Sequence, residues 1–236
     1  MLMSNQCFAK GTCKKYLEGA NGWQCDKQEE FCTRLFKLES LYSQSCLTPD
    51  QYERIALRVD ADNTDKEEFI RLSEIASDIC NFVNNGNNLY IYSEVCGNGK
   101  TAWSVRLLQE FFNKIWWSCD LECHGLFVNV PRFFLALKNN ISSTDEYAQH
   151  IKQNVLKADI VVWDDLATKG ITEFENENLL SIIDDRMNNR KANVFTSNIA
   201  PPDLPDMIGQ RLYSRIVNFS EIIHLRGKDK RNLKFN

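Results

Sequence analysis

Apolar residues recur along this chain in two alternating patterns, continuous runs and helically spaced positions, and these predict its elements in turn. Between residues 65 and 83, Phe69, Leu72, Ile75, Ala76, Ile79 and Val83 share one helical face, and Asn84-Asn85-Gly86-Asn87-Asn88 stops the run. Leu89-Tyr90-Ile91-Tyr92 follows as a buried strand. Trp103, Val105, Leu107, Leu108, Phe111, Phe112, Ile115 and Trp116 predict a largely buried helix. A second strand is expected at 125–130, and Pro131 then opens a helix through Lys138, proline being tolerated in the first turn. Residues 139–146 read as a polar loop. The apolar run 159–166 gives a third strand, Leu179, Leu180, Ile182, Ile183 and Met187 a helix, and 193–196 a fourth strand. Ile199-Ala200-Pro201-Pro202-Asp203-Leu204-Pro205 reads as incompatible with regular helix, 209–216 as a helix and 220–225 as a final strand. Strands alternating with helices predict an α/β fold on a parallel sheet.

The first fifth of the chain breaks this pattern. Outside Leu35, Leu38, Leu41 and Tyr42 it has few aliphatic residues, too few for an independent core, while Cys7, Cys13, Cys25, Cys32 and Cys46 crowd into it. Four thiolates at Cys7, Cys13, Cys25 and Cys32 would supply a tetrahedral structural Zn²⁺ in place of the missing core, with Cys46 as a substitute for any one of them. Pro49 punctuates the end of this segment. The expected division is a cysteine-rich module at 1–50, a connector at 51–64 and an α/β domain at 65–236.

With 236 residues, 43% hydrophobic and 25% charged, the composition is that of an ordinary globular protein. The net charge of −4 makes any nucleic-acid contact local rather than global. The sequence offers no apolar run long enough to span a bilayer and no signal pattern at its start, so no membrane partner and a cytoplasmic location are expected. Nine cysteines in that setting argue for reduced thiols or metal ligation rather than disulfides.

Chemistry concentrates at strand ends. After strand 89–92 comes Ser93-Glu94-Val95-Cys96-Gly97-Asn98-Gly99-Lys100-Thr101, which has the form of a phosphate-binding P-loop. Gly97 and Gly99 let the backbone turn around a polyphosphate, Asn98 lies between them, Lys100 adds charge, and the Thr101 hydroxyl can ligate Mg²⁺ at a helix start. Glu94 stands where the usual pattern begins with glycine. Asp164 and Asp165 close the third strand 64 residues after Lys100. Asp164 is placed to hold Mg²⁺, and Asp165 sits where many P-loop ATPases have a glutamate that orients the attacking water. Asn198, ending the fourth strand, would lie beside the γ-phosphate if that strand neighbours the P-loop strand. Arg211 and Arg215 fall on one helical face, and the tail 226–234 is rich in Lys and Arg.

Taken in order, the P-loop, the Asp-Asp strand, Thr196-Ser197-Asn198 and the Gly-x-Arg-x-x-x-Arg of 209–215 make residues 65–231 resemble the DnaC/DnaI family of AAA+ helicase loaders, the phage versions above all. The resemblance implies a five-stranded parallel sheet, ATP and Mg²⁺, self-assembly into a ring or spiral, and delivery of a DnaB-type replicative helicase onto single-stranded DNA. It implies that Lys100 and Thr101 form the Walker A pair, Asp164 and Asp165 the Walker B pair, Asn198 sensor 1, Arg215 a trans-acting arginine finger and Arg231 a second sensor. The 38 residues after Asn198 leave no room for a separate helical lid domain, which loaders typically lack. Glu94 and Asp165 depart from the usual pattern, so slow hydrolysis or an ATP-gated switch fits as well as fast turnover. Two competitors remain: a transposition-helper ATPase of the same fold and a non-hydrolysing ATP-binding adaptor. A small-molecule kinase is disfavoured, because no arginine-rich acceptor lid follows the second strand.

Overall fold

Two apolar faces of one parallel sheet account for the core. The computed structural model describes residues 16–19, 22–25, 32–53, 55, 57, 59, 63–142 and 144–230. Strands β1 (Tyr16–Gly19) and β2 (Gly22–Cys25) form an antiparallel hairpin. Helices α1 (Thr33–Gln44), α2 (Lys66–Ser77) and α3 (Ile79–Asn84) lead to β3 (Asn88–Tyr92) and α4 (Lys100–Ile115). There follow β4 (Gly125–Asn129), α5 (Val130–Ser142), α6 (Glu146–Asn154), β5 (Ile160–Leu166), α7 (Glu173–Asn188), β6 (Ala192–Ser197), α8 (Leu204–Val217) and β7 (Ser220–His224). The five-stranded sheet has the order β4-β5-β6-β3-β7, every neighbouring pair parallel.

Successive strand residues point to opposite faces, and here both faces are covered, which is why the strands read as unbroken apolar runs. Leu89, Ile91, Val162 and Val194 pack with Leu72, Ile79, Leu107 and Leu108 of α2, α3 and α4. Tyr90, Val161, Trp163 and Phe195 pack on the other side with Phe133, Ile151, Leu179, Ile183 and Leu212. Leu38, Leu41 and Tyr42 of α1 join the first of these clusters. The core thus takes in a helix whose sequence lies inside the cysteine-rich fifth of the chain. The Phe127 N–H donates to Ser45 O at 2.7 Å, and Gln109 Nε2 donates to Gln51 O and Glu53 O, both at 2.7 Å, so that the connector is tied to α4.

A buried cation sits at the base of the second cluster. Arg186 donates to the carbonyls of Val155, Ala158 and Ala192 and to Asn193 Oδ1. Burial pushes its pKa down to about 9. Asn193 also accepts from Trp163 Nε1 and donates to Asn88 Oδ1, linking β5, β6 and β3.

Local structure departs from the sequence expectation at several points, including the unforeseen hairpin β1–β2 and helices α1 and α6. The helix expected across 65–83 is two helices, broken at Asp78, with Ile79, Phe82 and Val83 still buried because a one-residue interruption barely shifts the apolar face. Helix α5 runs on to Ser142, into the stretch expected as a polar loop. Leu204 and Pro205 lie in the first turn of α8 rather than outside a helix, a position where the missing proline N–H costs no hydrogen bond. That helix is interrupted at Gly209, whose φ of 75° places it in the left-handed region.

Candidate nucleotide site

All five strands of the sheet point their C-terminal ends the same way, and the polar residues that close β3, β5 and β6 meet there. Strand β6 lies directly beside β3, as the reading of Asn198 requires. A cleft of about 220 Å³ is lined by Gly97, Gly99, Lys100, Thr101, Asp165 and Asn198, among others.

The loop before α4 is shaped by its glycines. Gly97 has φ 76° and Gly99 φ 113°, the second with open space where a Cβ would be, so conformation rather than crowding demands glycine there. A Cβ at Gly97 would lie 2.0 Å from Asp229 Oδ1. Glu94, at the place where glycine is usual, is not among the residues of positive φ, so the first bend does not need one. Its carboxylate instead meets His224 Nε2 at 3.0 Å, and the His224 ring stacks on Tyr92. A backbone hydrogen bond and then His224 hold the Glu94 carboxyl below its ordinary range.

Side chains brace the loop from within. Lys100 Nζ donates to Val95 O at 2.9 Å and Ser93 O at 3.2 Å. Asn98 Nδ2 donates to Ser93 Oγ and to Leu225 O, and the Lys230 N–H donates to Gly97 O at 3.0 Å. The segment after β7 therefore lies along the loop. Asp65, just before α2, fixes that segment by accepting from the Arg226 and Gly227 N–H groups at 2.7 and 2.9 Å.

The Asp pair is held across the cleft. Thr101 Oγ1 donates to Asp164 Oδ1 at 2.9 Å, and Thr196 Oγ1 donates to the same oxygen at 2.7 Å. Burial pushes the Asp164 carboxyl above its ordinary range; the Thr196 hydrogen bond opposes this and the neighbouring Asp165 charge adds to it. Asp165 has φ 59°, its N–H donates to Thr196 Oγ1 at 3.1 Å, and its carboxylate accepts from Asn129 Nδ2 at 3.4 Å.

Lys100, Thr101, Asp164, Asp165 and Asn198 are thus together, as are Gly97, Asn98 and Gly99. Arg215 does not line this cleft: its Nε donates to Asp184 Oδ1 of α7, forming an ion pair within the chain, with the Arg215 side chain 41% exposed. Arg231, Cys7 and Cys13 lie outside the described residues, and of Cys25 only the backbone, in β2, is described. Cys32 is exposed at the start of α1. Among the described residues no three His, Cys, Asp or Glu side chains cluster as metal ligands. The sequence does not single out Asn129, and Thr196 enters only within the Thr196-Ser197-Asn198 strand end, with no role of its own. Their only signal is a polar residue at the closing end of a strand, level with the Asp pair that closes β5.

The parallel order β4-β5-β6-β3-β7, with a glycine-bearing loop leading from β3 into α4 and paired carboxylates two strands away, is the fold of AAA+ P-loop NTPases. Solved structures of the same fold include the DnaC helicase loader, at 20% identity and TM-score 0.57 over 69% of this chain and 90% of that one. DnaI matches at 19% identity and TM-score 0.59, covering 79% of this chain and 95% of that one. The replication initiator DnaA bound to AMPPCP and single-stranded DNA matches at 15% identity and TM-score 0.56, covering 79% of this chain and 53% of that one. No protein-family model and no curated protein sequence matches the chain. Among the described residues no helix is long and apolar enough to cross a membrane.

Proposed function

We propose that this chain is an ATP-dependent helicase loader, which binds a DnaB-type replicative helicase and helps place it on single-stranded DNA. The observation that carries the reading is the convergence on one cleft of Lys100, Thr101, Asp165 and Asn198, with Asp164 hydrogen-bonded to Thr101 behind it. The likeness in fold to DnaC and DnaI, both spanned over nine-tenths or more of their length, supports the loader class over other uses of the fold.

The loop fits a polyphosphate, because its two positive-φ glycines leave backbone N–H groups at the start of a 16-residue helix free of side-chain bulk. Lys100 exchanges loop carbonyls for phosphate oxygens. Thr101 and Asp164 present two hard oxygen donors 2.9 Å apart and would hold Mg²⁺, whose charge offsets that of the β- and γ-phosphates when bound. Asp165 orients the attacking water and Asn198 positions it from the adjacent strand. Arg215 serves a neighbouring subunit in a ring or spiral, and Arg231 acts as a second sensor. The cysteines Cys7, Cys13, Cys25 and Cys32 hold one structural Zn²⁺ in a helicase-docking segment.

Binding of a fluorescent ATP analogue, followed by ATP-dependent co-purification with a hexameric DnaB-type helicase, tests the reading. Retention of the helicase by the wild-type chain and its loss with Lys100→Ala is the expected result. Analogue binding without helicase retention would overturn the loader assignment; absence of analogue binding would overturn the nucleotide site itself.

A further inference from the structure

Strand β5 does not end as a regular strand. Trp163 pairs with Phe195, and the next paired residue of β6, Ser197, is opposite Leu166, so β5 advances three residues while β6 advances two. One extra residue is therefore inserted in β5, a bulge opposite Thr196. Asp165, at φ 59°, carries the backbone through it in the left-handed region, and Ala167, just past the end of the strand, has φ 61°.

The bulge changes which face Asp165 occupies. Ile160 and Val162 belong to the α4 side of the sheet, and Val161 and Trp163 to the opposite side. Regular alternation would send Asp164 to the α4 side and Asp165 to the Trp163 side, away from the P-loop. Instead Leu166 takes the Trp163 side, and Asp165 lines the cleft with Gly99, Lys100 and Thr101. Both carboxylates then serve one site.

Thr196 holds this arrangement with a single hydroxyl. Its proton goes to Asp164 Oδ1 and its oxygen receives the Asp165 N–H, at 2.7 and 3.1 Å, while Thr196 itself is 1% exposed. Beside it, Ser197 Oγ donates to Leu166 O at 2.7 Å, fixing the far side of the bulge. We propose that Thr196 is a positioning residue for ATP hydrolysis, whose hydroxyl pins the β5 bulge and so brings Asp165 onto the same side of the sheet as Asp164. The inference rests on the ATPase reading of the cleft and adds to it how an aspartate, one methylene shorter than glutamate, comes to face the reacting phosphate.

Three measurements on the full chain test it: ATP turnover, affinity for a fluorescent ATP analogue, and hydrogen exchange of the Asp165 amide. Thr196→Val keeps shape and removes the hydroxyl, and should lower kcat about 10- to 100-fold, as loss of a partner behind a metal-site ligand does. Analogue affinity should stay at the wild-type level, and the Asp165 amide should lose its protection. Thr196→Ser should restore all three to near wild type. Wild-type turnover in Thr196→Val, a protected Asp165 amide in that variant, or failure of Thr196→Ser to restore turnover would each overturn the proposal. If the wild-type chain itself hydrolyses no ATP, the ATPase reading falls on its own, and unchanged protection of Asp165 in Thr196→Val would still refute the role of the hydroxyl.

Discussion

Thr101 and Asp164, 63 residues apart, share a hydrogen bond of 2.9 Å that joins the first turn of α4 to the end of β5. The same helix start carries Lys100, so the binding loop and the carboxylate pair form one mechanical unit. Lys100→Ala removes the charge and, on the proposed reading, the bonds it would make to phosphate, each charge-assisted bond contributing about 1.5–3 kcal/mol. Affinity for a fluorescent ATP analogue should fall at least about tenfold, with the far-ultraviolet circular dichroism spectrum unchanged. Near-normal affinity would sink the nucleotide site.

Arg215 pairs with Asp184 in its own chain while half-exposed, and a pair of that kind contributes at most about 1 kcal/mol. Arg215→Ala should therefore leave the melting temperature and monomer ATP binding almost unchanged. Hydrolysis by assembled protein should drop by about 10³- to 10⁵-fold if the guanidinium reaches a neighbour's γ-phosphate. Mixing Arg215→Ala with Lys100→Ala chains should recover turnover in DNA- and helicase-bound assemblies, because one supplies nucleotide and the other the arginine. Absence of recovery in verified mixed assemblies would assign Arg215 to its Asp184 pair alone.

Zinc content is the direct check on the cysteine segment. Purified full-length chain should carry about one Zn²⁺, and Cys7→Ser with Cys13→Ser should remove it, since four thiolates make a closed structural site. The whole chain is the proper sample, because α1 packs on α4 and β4 and a fragment ending near residue 50 would expose Leu38, Leu41 and Tyr42. Full-length protein that is folded and free of metal would refute the assignment.

At the opposite end of the sheet, His124 lies between Asp159 at 2.7 Å and Asp120 at 2.8 Å, and Lys191 completes the group on Asp159. The hydrogen bond to Asp159, then that to Asp120, raises the His124 pKa above 6.5, against burial. A raised pKa means that this contribution is fully present below the unfolded value and is lost as pH rises through the folded one. The wild-type chain should therefore lose stability from about pH 6.5 upward relative to His124→Gln, in denaturant titrations at stepped pH. Parallel pH profiles for the two proteins would count against it.

The sequence disclosed what depends on local chemistry and concealed what depends on pairing. The turn at Gly97 and Gly99 and the helix start at Lys100 are legible because glycine is the residue that tolerates positive φ there, and β3 and β5 because double burial produces unbroken apolar runs. The break at Asp78 was hidden, since Leu72, Ile75, Ile79 and Val83 keep helical phase across it. The bulge in β5 left no trace for a related reason: a strand buried on both faces has no polar alternation whose slip would reveal an inserted residue. Thr196 acquires its role only from the neighbour that β6 happens to have. The place of α1 was equally obscure, because an amphipathic face states that it will be covered without stating by what.

Asp65 grips the backbone of Arg226 and Gly227, so the start of α2 and the segment after β7 adjoin each other, and that segment runs on to the glycine-bearing loop, where the Lys230 N–H donates to Gly97 O. The same adjacency means that a change of length just ahead of Asp65 or just beyond Lys230 is felt at the candidate nucleotide site rather than at a neutral surface.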